Sequence, residues 1–399
     1  MSSISPASRS NTHVMLLVGA VVIGAIGSLF YNVMPLFLGS LQDSIAFTNA
    51  QIGLVASAFF LGFNVGSASS FFWVRKIPVR ATSLAGTVVV LALLYLTTLA
   101  KSFALLEVVI VALGAVSGGL AVIGTTVIAD AEDAAFWYGV KVAAESASGA
   151  LLLFVLPASL IPQFGFSGTI LGMGLLIGLS VPCLFFLSAG RVNPSANVSS
   201  SDPAASLEAP GNISRWAVWL PISTMTVLCV GGSAVWAFEE RIAAQYGFDA
   251  AWVGGVLGTS LIFAVIGPIV SGYVANRVGL WLPYLFGIAA MVLGIFAIAL
   301  SFNSAALYAF GACSFMMGWG IALPSVFAKI AELDPDGRHI SLSIPALGVG
   351  TMIGPTVAGL LFIGSSVAPL QWASVAMLGI SLVIFWSAGR NGVGTLRHA

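Results

Sequence analysis

Charge is what this chain has least of. Fourteen Lys and Arg residues and fourteen Asp and Glu residues are spread over 399 positions, so 7% of the chain is charged, against roughly 25% in an average soluble domain. A soluble fold of this length could not cover its surface with so few charges. They also sum to zero, so no net field draws in nucleic acid or another charged polymer. Cysteine and histidine are equally scarce. Cys183, Cys229 and Cys313 lie far apart, each inside an apolar run. They read as small buried hydrophobes rather than a disulfide or redox site. His13, His339 and His398 fall at loops or tails and no H-E-x-x-H pattern occurs, so no metal is expected. A Walker A loop is missing too, and with it a phosphate cradle for ATP. No cofactor is expected. With no nucleophile, metal or phosphate constellation, neither is an enzyme. Uphill work would have to draw on an ion gradient or on a partner.

What the chain does have is apolar length. Hydrophobic residues make up 59% of it, in twelve runs near 14–38, 50–73, 82–100, 104–129, 137–162, 167–188, 215–238, 251–275, 281–301, 304–327, 340–363 and 371–388. A bilayer core of about 30 Å needs roughly 20 helical residues, and these runs are too long for barrel strands, so helix is forced. The first run follows 13 polar residues without a cleavage site and is too long for a signal-peptide core. It is expected to stay as the first span. Trp73, Trp137, Tyr138, Trp216, Trp219, Trp252, Trp281 and Trp372 cluster at span ends, as an interfacial belt should.

The second six runs echo the first at an offset of 201 positions: Lys76 with Arg277, Gly53 with Gly254, Gly66 with Gly267, Gly149 with Gly350. Residues 189–214, rich in Ser, Ala, Pro and Asn, read as a linker between the halves. The expected organisation is a tail (1–13), a six-helix bundle (14–188), the linker (189–214), a second six-helix bundle (215–388) and a tail (389–399). In that layout Arg9, Arg75, Lys76, Arg80, Arg191, Arg215, Arg277, Lys329, Arg338, Arg390 and Arg397 share one side, and only Lys101 and Arg241 take the other. Eleven against two is a strong positive-inside bias, so both termini are expected to be cytoplasmic. Asn197 and Asn212 head glycosylation patterns on that same side, where neither would be used.

Between spans eight and nine the chain reads Gly272-Tyr273-Val274-Ala275-Asn276-Arg277-Val278-Gly279. This resembles the G-x-x-x-D-R-x-G loop signature of the major facilitator superfamily, and the likeness extends to the six-plus-six topology and the linker. The first-half copy is degraded: Lys76 matches Arg277, but Arg75 stands for the usual Asp and Pro78 for the usual Gly, and Asn276 replaces Asp in the second copy. The resemblance implies an all-α integral membrane fold of twelve transmembrane helices in two bundles. It also implies that this loop acts as a gating latch. Lys76 and Arg80, with Arg75, would meet Asp130, Glu132 and Asp133; Arg277 would meet Glu332, Asp334 or Asp336. The alternative is ordinary juxtamembrane charge. The Arg of span four and the Gly-Pro run of span five that mark drug–proton exporters of the family are missing.

Ionisable residues deep in a span are functional candidates by default. Lys141 and Glu145 in span five are one turn apart on a shared face. Glu145 lies about 12 Å in from Trp137 at 1.5 Å per residue, near the midplane. With Glu107 of span four they are the candidate proton-coupling residues, against the alternative of a self-neutralising structural pair. Lys141 and Glu145 are also candidate substrate contacts, as are Tyr31, Asn32, Asn64, Trp319, Trp236 and Glu239. For the last two, at the end of span seven, an interfacial Trp beside a solvated charge cluster is the plainer reading. The expected function is carriage of a small organic solute by alternating access, coupled to protons. The lone intramembrane cation favours an organic anion such as an aromatic carboxylate. Efflux of amphiphilic compounds or sugars is the alternative within transport, and a receptor or scaffold on a carrier fold the alternative outside it. The expected partners are solute, protons and the lipid bilayer of a bacterial-type cytoplasmic membrane, with the chain a monomer.

Overall fold

The computed structural model describes residues 6–45, 47–100, 102–131, 133–191, 217–333, 342–362 and 366–393. Among them twelve helices are long and apolar enough to cross a membrane. They are α1 (Pro6–Ser44), α2 (Asn49–Trp73), α3 (Val79–Leu99), α4 (Phe103–Ala129), α5 (Ala134–Val155, carried on through Leu156–Leu160 and Ile161–Phe164), α6 (Phe166–Leu184), α7 (Trp219–Gln245), α8 (Ala250–Val278), α9 (Trp281–Ala299), α10 (Ala305–Leu333), α11 (Ser343–Leu361) and α12 (Ala368–Val393).

Polar caps set several of the ends. The side chain of Ser102 accepts from the Leu105 N–H to start α4, and Asp249 accepts from Trp252 to start α8. Such caps satisfy backbone donors the first turn leaves free. Gly279 ends α8 at φ +78°, a conformation other residues adopt only with strain. In α5 the Ile161 N–H reaches back to Leu156 in a π turn. Pro157, with no N–H of its own, sits inside that turn and disturbs the α register. Large apolar side chains stand exposed on the helices, among them Phe71, Leu179 and Val383. In water that would be a liability; on a transmembrane helix it is the face lipid covers.

The helices form two compact units, Met1–Ser40 with Ala58–Ser199, and Leu41–Ser57 with Ser200–Ala399. Residues 41–57, the tips of α1 and α2, count with the second unit. In the first unit α3 packs on α4 and α6; in the second, α7 packs on α11 and α12, and α10 on α8 and α9. The 201-residue echo has a structural counterpart. A methyl group on Gly66 of α2 would strike the Ala115 carbonyl of α4, and one on Gly267 of α8 would strike Gly320 and Met317 of α10. Each half draws the corresponding pair of helices into backbone contact at the corresponding glycine.

Span seven departs from expectation at its end. Rather than ending near residue 238, α7 continues to Gln245 and takes Glu239, Glu240 and Arg241 with it. The continuation is possible because these charges are buried or paired within the unit.

Candidate functional site

In the first unit the intramembrane pair is built from two helices. On α5, the Lys141 ammonium donates to Glu145 Oε1 at 2.5 Å, and both side chains are nearly buried, 12% and 14% exposed. Facing them on α1 are Gly24, Ser28 and Asn32, four residues apart and so on one helical face. Gly24 leaves room for the Lys141 stem; a methyl group there would lie 2.6 Å from Cε. Ser28 Oγ donates to Glu145 Oε1 at 3.0 Å, and Asn32 Nδ2 donates to the Glu145 backbone carbonyl at 2.9 Å. The carboxylate thus has an ammonium and a hydroxyl on one oxygen, which offsets part of the cost of holding a charge at this depth. Behind the pair, an apolar cavity of about 170 Å³ lies between α1, α5 and α6, with Ser148 and Ser180 its only polar side chains.

Tyr31, next to Asn32, sets its ring edge on Phe60, centroids 5.7 Å apart. Asn64 of α2 is half-buried, and no hydrogen bond to its side chain is made among the described residues. Glu107 sits just past the first turn of α4, half-exposed, and among the described residues no bond joins it to the Lys141–Glu145 pair.

In the second unit the residues near the end of α7 are not a solvated cluster. Trp236 is 4% exposed and Glu239 not at all, so neither side chain reaches open space. Arg241 donates through Nη1 and Nη2 to both carboxylate oxygens of Asp43, at 2.7 and 3.1 Å, and through Nε and Nη2 to Glu240, at 2.6 and 3.0 Å. Both Glu239 carboxyl oxygens are buried without a hydrogen-bond partner among the described residues. The Tyr308 hydroxyl of α10 donates to the Glu239 backbone carbonyl at 3.0 Å. Trp319, half-buried on α10, lays its ring against Gly232 of α7, which has no side chain to block it.

The gating candidates divide. Arg75 makes the expected bridge, with a two-pronged contact to Asp130 at 3.0 and 3.2 Å. Arg80 instead donates to the Leu187 carbonyl at 2.8 Å, where the end of α6 leaves backbone acceptors free. Lys76 and Asp133 are exposed and join no ion pair among the described residues. Arg277 stacks over Tyr273, 4.3 Å from the ring centre. The acid offered to it, Glu332, pairs one turn back with Lys329 at 3.0 Å. Gly272 faces open space and Gly279 ends its helix. Asp334, Asp336 and Glu132 lie outside the described residues, as does the side chain of Asn276.

Sequence reasoning missed Ser28, Asp43 and Tyr308. For Ser28 a signal existed, since Gly24, Ser28 and Asn32 are a small and polar stripe at helical spacing in an apolar run. Asp43 and Tyr308 carried none, because their roles come from contacts across nearly 200 and 70 positions.

Residues 16–344 match the family model described as Major Facilitator Superfamily. No curated protein matches the chain. Among solved structures, a mutant form of the nucleoside transporter NupG is similar at TM-score 0.73 and 12% identity, over 96% of this chain and 100% of that one. A bacterial homolog of the human lysosomal transporter Spinster, in an inward-facing and occupied conformation, is similar at TM-score 0.68 and 14% identity, over 97% and 98%.

Proposed function

The chain belongs to the major facilitator superfamily, and on that premise we propose that it is a secondary carrier moving a small organic anion together with a proton. The transporter class follows from the family; the solute and the coupling are our reading. The observation that carries it is the Lys141–Glu145 pair, held by Ser28 and Asn32 on the facing helix.

The reasoning is charge arithmetic in a poorly solvated place. With Glu145 ionised, Lys141 is neutralised and offers an anion little. A proton from the aqueous phase adds to a Glu145 oxygen and forms the neutral acid. The ammonium of Lys141 is then uncompensated, and a carboxylate-bearing solute restores neutrality. Binding of proton and anion is therefore mutually favourable, and the loaded site carries no net charge across the membrane. Asn32, Tyr31 and Asn64 are the polar and aromatic groups of the same unit that a ring-bearing solute would meet. Trp319 is a separate candidate contact within the second unit. Glu107, unattached to this pair, is a proton-entry candidate rather than a member of it. Arg75–Asp130 is the best-formed latch on the loop side. The carrier acts as a monomer in a cytoplasmic membrane with both termini inside.

The test uses the full chain in proteoliposomes, a pH gradient acid outside, and labelled aromatic carboxylates, with nucleosides and sugars as comparison solutes. Accumulation of a carboxylate that follows the gradient is expected. Glu145→Gln should lose gradient-driven accumulation and keep solute exchange. Equal accumulation in wild type and variant would remove Glu145 from the coupling, and accumulation of a neutral solute alone would overturn the anion reading.

A further inference from the structure

The Lys141–Glu145 site leaves one buried acid unused. We propose that Glu239 is a second proton-binding site, and that its proton is held in place by the engagement of Asp43 with Arg241. The site stands on geometry in the second unit alone; only its use in transport rests on the carrier reading above.

Glu239 has no exposed surface, and neither carboxyl oxygen has a hydrogen-bond partner among the described residues. The nearest cation is already spoken for. Arg241 spends its Nε and both Nη groups on Asp43 and Glu240, so one positive charge faces two negative ones. Among the described residues, the remaining titratable groups at this end are Tyr308 and Cys313 on α10, Tyr246 just past α7, and Asp249, which caps α8. None of these supplies a positive charge. Tyr308 gives its hydroxyl hydrogen to the Glu239 backbone rather than to the carboxyl. Among the described residues α11 carries no titratable group, and α12 brings to this end only Gln371 and Ser374, both uncharged. An ionised Glu239 would stand uncompensated beside a cluster already carrying a net negative charge. The protonated carboxyl avoids that cost.

The same arithmetic makes the proton conditional. When Asp43 at the α1 tip leaves Arg241, the cluster loses one negative charge, and Glu240 with Arg241 is neutral. Glu239 can then release its proton to water, leaving a carboxylate beside a cluster that no longer carries net negative charge. Reassociation of Asp43 requires a proton to return to the carboxylate oxygen. By linkage the two events favour each other equally. The tip of the α1–α2 hairpin is held at further points of the same unit: Asn49 Nδ2 donates to the Phe362 carbonyl at 3.0 Å, and Thr356 Oγ1 donates to Ser57 Oγ at 2.7 Å. Protonation thus acts on a clasp, not on a loose tip.

Infrared spectroscopy of the full chain in lipid reads this without any solute. At a fixed near-neutral pH, the wild type should show a protonated-carboxyl C=O band that shifts when glutamate is ¹³C-labelled. The band should persist in the Glu107→Gln/Glu145→Gln double variant and be lost in Glu239→Gln. Asp43→Asn should weaken it at the same pH. If Glu239→Gln does not fold, the labelled wild type, the double variant and Asp43→Asn still decide. No glutamate band, a band lost in the double variant, or one unmoved by Asp43→Asn overturns the proposal. So does a band that appears only when sodium is removed, which would make the site a cation site. A band as expected with no solute flux in wild-type vesicles would instead count against the carrier reading.

Discussion

At the scale of single residues, the chain holds few charges and pairs most of those it buries. Lys141 and Glu145 show why. Removing one member of a buried pair leaves the other uncompensated, at a cost of about 3–5 kcal/mol, whereas replacing both with apolar groups of similar size is often neutral. Lys141→Met should therefore lower the thermal midpoint in detergent markedly, and Lys141→Met/Glu145→Leu should recover most of the loss. If the double variant melted as low as the single one, the pair would not be the self-compensating unit described. Ser28→Ala removes a hydrogen bond to a charged acceptor and should cost about 1.5–3 kcal/mol. The pair itself was legible in the sequence, because two opposite charges four apart in an apolar run share a helical face. The isolation of Glu239 was not. Glu239, Glu240 and Arg241 read identically whether solvated or buried, and only Asp43, which takes up the shared arginine, shows which acid is left over.

At the scale of helices, glycine decides how closely elements approach. Gly66 and Gly267 face backbone atoms of α4 and α10 that cannot move aside as a side chain could. Even Ala overpacks these sites, and a cost of about 1–3 kcal/mol is expected for Gly66→Ala and for Gly267→Ala. Gly272, in the loop signature, has open space where its Cβ would lie. Gly272→Ala should be neutral or stabilise by up to about 1 kcal/mol through helix propensity. Thermal melting of the three variants side by side checks the ranking, and a destabilising Gly272→Ala would show that something unseen packs on that face. Number and type of helices were legible because a span needs little beyond apolar length. Their ends were less so. The sequence places the end of span seven near residue 238 because a charge triplet follows, but buried and paired charges do not stop a helix, and α7 runs on to Gln245. The glycine echo was visible as spacing, yet its meaning, the same helix–helix approach in each half, needed the packing.

For the molecule as a whole, the remaining question is which end faces the cell interior. Twelve candidate spans among the described residues would put both termini on one side, and our proposal that this side is the inner one rests on the basic residues. Lys329 and Arg241, counted on opposite sides from sequence, lie within the spans of α10 and α7, and Arg80 lies within that of α3, so these three are not loop residues. Without them eleven against two becomes nine against one, with Lys101 the exception. The bias sharpens once the helices are drawn at their true length. Each loop lysine or arginine resists translocation whereas acidic residues contribute little, so the balanced overall charge does not blur the signal. Three exposed, uncharged positions report the orientation without altering it: Ala189 beyond α6, Ala250 at the start of α8 and Val278 at its end. In a background with Cys183, Cys229 and Cys313 replaced, Ala250→Cys should react with a membrane-impermeant maleimide on intact cells. Ala189→Cys and Val278→Cys should react only after the membrane is opened. Labelling of Val278→Cys on intact cells would invert the orientation and place the Arg75–Asp130 pair on the outer face. Labelling of both ends of α8 from one side would deny that this helix crosses at all, and with it the pairing of α8 with α2 on which the internal repeat depends.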